Sequence, residues 1–244
     1  TEKVVPIMAA FYILGSLILI FMHIGQLPEA FRQIFVGAFN PGAAIGGFSG
    51  VAVSQAIKYG VARGLFSNEA GMGSTPHAHA VARVKHPCDQ GLVAMMGVFI
   101  DTLIILNLTA FSVLCTGTLT EAGQSLTGAA LTQAAFNTGF GSFGKIFIAI
   151  CMFFFAFSTI VGWYFFGEKN VRYLFGSKAV KPYAALVVVF IIIGSALKVD
   201  LVWNLSDLFN SLMVIPNLLG LWAMSKVVSD LYEDWKKQQP AKVK

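Results

Sequence analysis

The sequence is short of charge and of cysteine. Only 12% of its 244 residues are charged, about half of the roughly 25% typical of soluble domains, which is too little to cover a water-facing surface of this size. The three cysteines, Cys88, Cys115 and Cys151, stand far apart without paired spacing. They therefore indicate neither a disulfide framework nor a zinc site.

Apolar residues take the place of the missing charge. Hydrophobic residues make up 56% of the chain, and 22 phenylalanines fall mostly inside long apolar runs. These features predict an integral membrane protein. In such a protein the net charge of +5 is no sign of a nucleic-acid partner, and we expect none; its distribution between loops is the informative quantity. Because the chain begins at Thr1 without a preceding signal peptide, we expect it to be part of a longer polypeptide.

The apolar runs predict an all-α membrane protein with six crossings. A bilayer core of about 30 Å needs about 20 mainly apolar residues per helix. We expect the helices at roughly 4–24, 45–84 (interrupted), 91–117, 144–167, 182–199 and 202–224, followed by a polar cytoplasmic tail at 225–244. No low-complexity linker separates two domains, so residues 1–244 are interpreted as a single transmembrane unit.

Basic residues set the expected orientation. With six crossings, most of them fall on one side of the membrane: Lys3, Arg83, Lys85, Lys169, Arg172, Lys178, Lys181 and the five lysines from Lys226 onward. Only Arg32, Lys145 and Lys198 fall on the other side, and Lys58 and Arg63 are unplaced. Because positive charge accumulates in cytoplasmic loops, both ends of the chain are predicted to be cytoplasmic.

The second predicted crossing contains an unusual polar stretch, "GLFSNEAGMGSTPHAHA" (64–80). Glycine inside a helix costs about 1 kcal/mol relative to alanine, and a buried carboxylate such as Glu69 costs several more unless it is paired. Irregular backbone survives at membrane depth only inside protein or around a watery cavity. We interpret 67–74 as an unwound midpoint, with Pro76 in the first turn of a short half-helix. Two alternatives stay open: 68–76 is an ordinary loop between helices, or the break lies at 46–50.

This stretch also carries a resemblance. Together with "HPCDQGLVAMMGVFIDT" (86–102) and "FAFSTIVGWYFFGEKN" (155–170), it closely resembles the alanine/glycine:cation symporters, the sodium:alanine symporter family. The resemblance covers essentially the whole chain and matches the later half of a family member. It implies the second half of the leucine-transporter-like inverted-repeat fold, in which our six spans would be helices five to ten.

The resemblance also implies site residues. Helices one and six of that fold are broken at the substrate, and sodium lies between helices one and eight. The implied substrate-binding residues are Asn68, Glu69, Ala70, Gly71, Met72, Gly73, Thr159 and Trp163, and the implied cation-binding residues are Ser158 and Thr159. Other interpretations remain: serine and threonine often bond back to the i−4 carbonyl in membrane helices, and Trp163 could belong to the inner aromatic belt. Helix one is absent from this chain.

The expected function is sodium-coupled symport of alanine, glycine or similar small neutral amino acids in the cell (inner) membrane. The expected partners are the amino acid, Na⁺ as coupling ion, the lipid bilayer and the missing first-half helices; no enzyme activity, cofactor or resident metal is expected. The alternatives are a channel, a binding-only receptor, or a metal-dependent membrane enzyme using His77, His79 and Glu69.

Intramembrane charges raise one further hypothesis. Asp101 lies inside a predicted span, where an acid indicates function or a structural ion pair; Lys58 or Arg63 is a possible partner. Asp207, near the outer end of the last span, is interpreted as solvated or capping.

Overall fold

A computed structural model of the chain describes residues 3–39, 51–69, 71–121, 126 and 128–238. These residues form helices joined by short connections, and no strand occurs among them. The all-helical prediction is confirmed. Ala70 and the alternative break at 46–50 lie outside the described residues.

The helices are numbered here in chain order. They are α1 Val4–Met22, α2 Leu27–Phe39, α3 Val51–Ser67, α4 Thr75–His79, α5 Pro87–Phe99, α6 Leu106–Cys115, α7 Thr118–Glu121, α8 Gly128–Phe140, α9 Ser142–Phe175, α10 Val180–Ala196, α11 Val199–Ala223 and α12 Ser225–Gln238. A π-helical segment, Ile100–Ile105, joins α5 to α6, and short 3-10 turns precede α2 and α10.

Four described helical stretches are long and apolar enough to cross a membrane. They are Val4–Met22, Pro87–Cys115, Ser142–Phe175 and Ser177–Ala196. The pair α11 and α12, bent by 57°, adds a fifth if it is taken as one span. The described part of the predicted interrupted span holds α3, of 17 residues, and α4, of five. The tail, expected only to be polar, is helical as far as Gln238.

Local sequence accounts for several helix ends. Pro76 lies in the first turn of α4, as expected, where its missing N–H costs nothing. Helix α9 runs eight residues beyond the predicted 167 and ends before Gly176, whose φ of +78° and N–H bond to the Arg172 carbonyl are typical of a glycine that terminates a helix.

The chain divides into two compact units. The first comprises residues 1–60 and 100–162, and the second comprises 61–99 and 163–244. The first unit has an apolar core in which Tyr12 and Leu19 from α1 pack with Phe136 from α8 and with Ile148 and Cys151 from α9. The Tyr12 hydroxyl donates to Thr109 Oγ1 at 2.6 Å, because the single Thr109 hydroxyl proton is directed at the Ile105 carbonyl.

The second unit contains the glycine-rich stretch and has a more polar interior. Its buried side chains among the described residues are Met72, Ser74 and His86. Helix α12 contacts the start of α5 through Trp235 Nε1, which donates to Asp89 Oδ1 at 2.8 Å, and through His86 Nε2, which lies 3.5 Å from Asp234 Oδ2. Most of the candidate site residues belong to this unit.

Candidate functional site

The glycine-rich segment between α3 and α4 is non-helical and strongly turned. The φ angles of Glu69, Gly71 and Gly73 are +49°, +74° and +78°. Glycine adopts this left-handed region readily, whereas other L-residues pay for it. Two glycines therefore occur where the backbone geometry requires them, and Glu69 is the exception that needs compensation.

The Glu69 side chain forms hydrogen bonds with residues at the other end of the segment. Its Oε2 accepts a hydrogen bond from Ser74 Oγ at 2.6 Å and another from Thr75 Oγ1 at 3.1 Å. Ser74 is only 1% exposed. These two bonds help to offset the strained backbone at Glu69.

A side chain from α11 holds the segment from outside. Asn217 Nδ2 donates to the Gly71 carbonyl at 2.8 Å. Asn217 also packs against Gly73 so closely that a Cβ added there would lie 2.8 Å from Asn217 Oδ1 and 3.0 Å from Cγ. Gly73 is therefore required for close approach as well as for its φ angle.

Two clefts of the second unit meet at Gly73 and Asn217. The larger, of about 650 Å³, is lined by residues that include Asn68, Glu69, Gly71, His79 and Gln90. The smaller, of about 520 Å³, is lined by residues that include Met72, His77, Trp163, Asn170 and Tyr183. The structure thus places Trp163 in the same cleft as Met72 and Gly73, and Asn68, Glu69 and Gly71 in the other.

The two histidines after the segment form hydrogen bonds with different neighbours. His77 Nδ1 donates to the Ser74 carbonyl at 3.1 Å, and its Nε2 accepts from Asn170 Nδ2 at 3.1 Å. His79 Nδ1 accepts from Gln90 Nε2 at 2.6 Å. Over the described ranges, no group of three or more His, Cys, Asp or Glu side chains could hold a metal ion. Glu69, His77 and His79, the residues of the metal-dependent alternative, form hydrogen bonds with separate partners.

Ser158 and Thr159 lie on α9, in the first unit. Both hydroxyls donate to the Phe155 carbonyl, at 3.0 and 2.8 Å respectively. Hydrogen bonding of these hydroxyls to a carbonyl of the preceding turn is the alternative to cation binding that the sequence also allows. It uses the hydroxyl protons and leaves oxygen lone pairs, so both groups keep the capacity to coordinate a cation.

Arg63 has a partner that the sequence does not single out. Its Nη1 and Nη2 lie 2.9 and 3.3 Å from the two carboxylate oxygens of Asp207, and its guanidinium lies 3.9 Å from the ring centroid of Trp203. The interpretation of Asp207 as merely solvated or capping is therefore wrong. Both side chains are about one-third exposed, and the paired geometry accounts for two charges within apolar helices.

Sequence reasoning also missed Asn217 and Asn170. The signal that could have found Asn217 is the Pro216–Asn217 pair inside the apolar run of α11. A polar residue at membrane depth is a functional hypothesis by default, and an internal proline frees a backbone carbonyl one turn earlier. Asn170 follows the charged pair Glu168–Lys169 and gives no comparable signal.

Comparison with known proteins identifies a family and several relatives that the chain resembles. Residues 1–244 match the sodium:alanine symporter family. The chain is 42% identical over 229 residues to the sodium/alanine symporter AgcS of Methanococcus maripaludis, covering 93% of this chain and 49% of the relative. It is also 42% identical over 241 residues to the probable sodium/glutamine symporter GlnT of Bacillus subtilis (98% and 49%), and 38% identical over 240 residues to the amino-acid carrier protein AlsT of that organism (98% and 50%).

The chain spans about half the length of the curated relatives it matches. The names of the family and of these relatives describe symporters and carriers and not enzymes. The prediction that the chain is not an enzyme is therefore confirmed.

Proposed function

The chain belongs to the sodium:alanine symporter family, and from this premise we propose that it forms part of a sodium-coupled symporter of small neutral amino acids, alanine or glycine. The observation that carries the proposal is the unwound segment with positive φ angles at Glu69, Gly71 and Gly73. Segments of this kind in secondary transporters expose backbone N–H and carbonyl groups to a substrate and its coupling ion.

The substrate site is proposed at this segment. Asn68, Glu69, Ala70, Gly71, Met72, Gly73, Thr159 and Trp163 would surround the amino acid. Trp163 supports the assignment because it lines the same cleft as Met72 and Gly73, where its flat ring could cover a side chain as small as a methyl group. An amino acid is a zwitterion, so it needs donors for its carboxylate and acceptors for its ammonium; exposed backbone supplies both.

The sodium ion is proposed to bind at Ser158 and Thr159. Their hydroxyl oxygens are hard ligands of the kind that an alkali cation takes, and the hydroxyl protons point away to the Phe155 carbonyl. Two hydroxyls are too few for a complete coordination shell, so further oxygens would have to come from another part of the transporter.

The first-half helices are the proposed source of those oxygens. Thr159 is exposed, as are Phe153, Phe157 and Ile160 on the same helix, which leaves this part of α9 free to pack against lipid or a further helix. In the leucine-transporter-like fold that we propose, the chain would be helices five to ten of one transmembrane unit. Its α3 and α4 would form the broken sixth helix.

The proposed location is the cell (inner) membrane, with both ends of this chain in the cytoplasm, as the distribution of basic residues favours. Transport would proceed by alternating access. Substrate and Na⁺ would each bind one arrangement of the broken helices more tightly than the other, and that difference in affinity would couple them.

Uptake in proteoliposomes tests the proposal. The chain would be reconstituted alone and with the first half of the Methanococcus relative, and radiolabelled alanine would be followed with and without a sodium gradient. We expect saturable accumulation against the alanine gradient only when sodium is present. A channel would equilibrate alanine without accumulating it, and that result would overturn the proposal.

Two substitutions test the proposed roles of Thr159 in sodium binding and of Trp163 in substrate binding. Thr159→Ala should raise the sodium concentration needed for half-maximal uptake, and an unchanged requirement would remove Thr159 from the ion site. Trp163→Ala should weaken alanine binding at unchanged protein yield. If only the protein yield falls, Trp163 contributes to side-chain packing and not to substrate binding.

A further inference from the structure

We propose that Asn217 is a positioning residue that fixes the glycine-rich segment between the two clefts and thereby limits the size of the transported amino acid. The inference rests on the proposed function. It concerns α11, to which neither the sequence nor the family resemblance assigned a binding role.

Asn217 makes the hydrogen bond to the Gly71 carbonyl across 146 residues of sequence, whereas the local backbone hydrogen bonds from Glu69 N to Phe66 O and from Met72 N to Glu69 O span three residues each. A three-residue turn fixes local shape only. The bond from α11 fixes where the segment lies relative to a long helix.

The Asn217 side chain fills the space beside Gly73, as its 2.8 Å distance from an added Cβ indicates. One amide group thus restrains two successive left-handed glycines, Gly71 by a hydrogen bond and Gly73 by contact. Met72 between them is 3% exposed, as expected for a segment held against its support.

Gly73 and Asn217 are common to the linings of both clefts, so their contact forms part of the wall between them. Removing the amide would free the Gly71 carbonyl and open space beside Gly73, and the clefts could then accept a larger side chain. Pro216, immediately before Asn217, lines the smaller cleft and cannot donate a helical hydrogen bond, which makes this turn of α11 easier to displace.

Two substitutions separate the hydrogen bond from the volume. Asn217→Asp keeps the size but, as a carboxylate, cannot donate to the Gly71 carbonyl. Asn217→Ala removes the donor and the volume. Each should raise the KM for alanine by about fivefold, the loss expected for one net hydrogen bond. Only Asn217→Ala should also increase glutamine uptake relative to alanine uptake.

The matched control is Asn210→Ala on the same helix, because the Asn210 amide donates to Ser206 one turn earlier in α11. A purely structural role for Asn217 would lower protein yield and Vmax for every substrate while leaving KM and the substrate ratio unchanged. That outcome, or KM values equal to those of Asn210→Ala, would overturn the inference.

A second measurement keeps this inference separate from the proposed function. Met72→Cys, in a background with Cys88, Cys115 and Cys151 replaced by serine, would be labelled with a water-soluble maleimide. We expect labelling to be at least several-fold faster when Asn217→Ala is added and unchanged when Asn210→Ala is added. Equal rates would overturn the positioning role even if transport is observed. Faster labelling without any sodium-dependent uptake would support the positioning role and count against the proposed function.

Discussion

Each of the two compact units of the chain is stabilised internally by a different kind of interaction. The first unit packs five buried side chains into an apolar cluster, with the Phe136 ring stacked on Tyr12 and on Phe147 at centroid distances of 6.1 and 5.7 Å. The second unit joins segments far apart in sequence through polar groups: Arg63 with Asp207, Asn217 with Gly71, Asn170 with His77 and Trp235 with Asp89.

This difference follows from the regularity of the backbone. Where helices are continuous they satisfy their own N–H and carbonyl groups, and close packing of side chains is sufficient to hold them together. The segment between α3 and α4 leaves backbone groups without helical partners, so side chains must supply them. The same groups that hold this segment could exchange partners with a polar ligand, which is why most residues of the proposed substrate site belong to the more polar unit.

The largest expected effect on stability comes from the apolar cluster. Phe136→Ala should lower the free energy of unfolding by about 3–5 kcal/mol, as measured for buried Phe→Ala changes, because the ring is fully buried among Tyr12, Leu19 and Ile148. Unfolding of the purified protein in detergent measures it. The control is Phe153→Ala, whose side chain is 65% exposed; similar losses for the two variants would contradict a core centred on Phe136.

A smaller effect on stability, but a decisive one on binding, is expected in the glycine-rich segment. Gly71→Leu places a side chain at φ +74°, which costs about 1–2 kcal/mol, and it projects that side chain from a cleft-lining position. We expect a folded protein that no longer binds alanine, measured by isothermal titration calorimetry together with size-exclusion chromatography.

The control for Gly71→Leu is Gly64→Leu. Gly64 lies within α3, and an added Cβ there meets nothing within 4 Å. This variant should retain binding. Normal alanine affinity in Gly71→Leu would show that the segment is only a loop, and the polar contacts of the second unit would then have a structural role alone.

Local features of the sequence predicted much of this architecture. The apolar runs place the long helices to within several residues, and the glycines of the polar stretch mark the break between α3 and α4. The motifs around Asn68, Asp101 and Trp163 gave the family resemblance, which the match over residues 1–244 confirms. Each of these signals lies within a short window, where spacing and composition have a direct physical meaning.

The contacts that support the candidate site could not be predicted in the same way. Arg63 and Asp207 are 144 residues apart, and Asn217 and Gly71 are 146 apart. Which distant polar groups meet depends on how α3, α5 and α11 pack, and helix periodicity does not determine that. The sequence offered Lys58 or Arg63 as a partner for Asp101, whereas the structure pairs Arg63 with Asp207. The assignment of Ser158 and Thr159 to sodium stays a prediction.

The smallest expected effect concerns a local ion pair of the first unit, which contrasts with the long-range pairs of the second. Arg32 Nε and Nη2 donate to the two Glu29 carboxylate oxygens at 2.6 and 2.7 Å on α2. Hydrogen bonding to Arg32, with a further bond from Gln33, lowers the pKa of Glu29 from its ordinary 4.5 to about 2. The contribution of the Glu29–Arg32 ion pair to stability is then fully present above pH 4.5 and is lost as the pH falls through about 2.

Carbon-13 NMR of the labelled Glu29 carboxyl group measures this pKa directly. We expect a midpoint near 2 in the wild type and a shift toward 4.5 in Arg32→Ala, because the largest cause of the depression is removed. Since the pair is solvent-exposed and spans three residues of one helix, its loss should leave the unfolding temperature almost unchanged. A substantial drop would mean that the first unit also depends on its polar contacts, and the contrast between the units would be weaker than the buried cluster around Phe136 indicates.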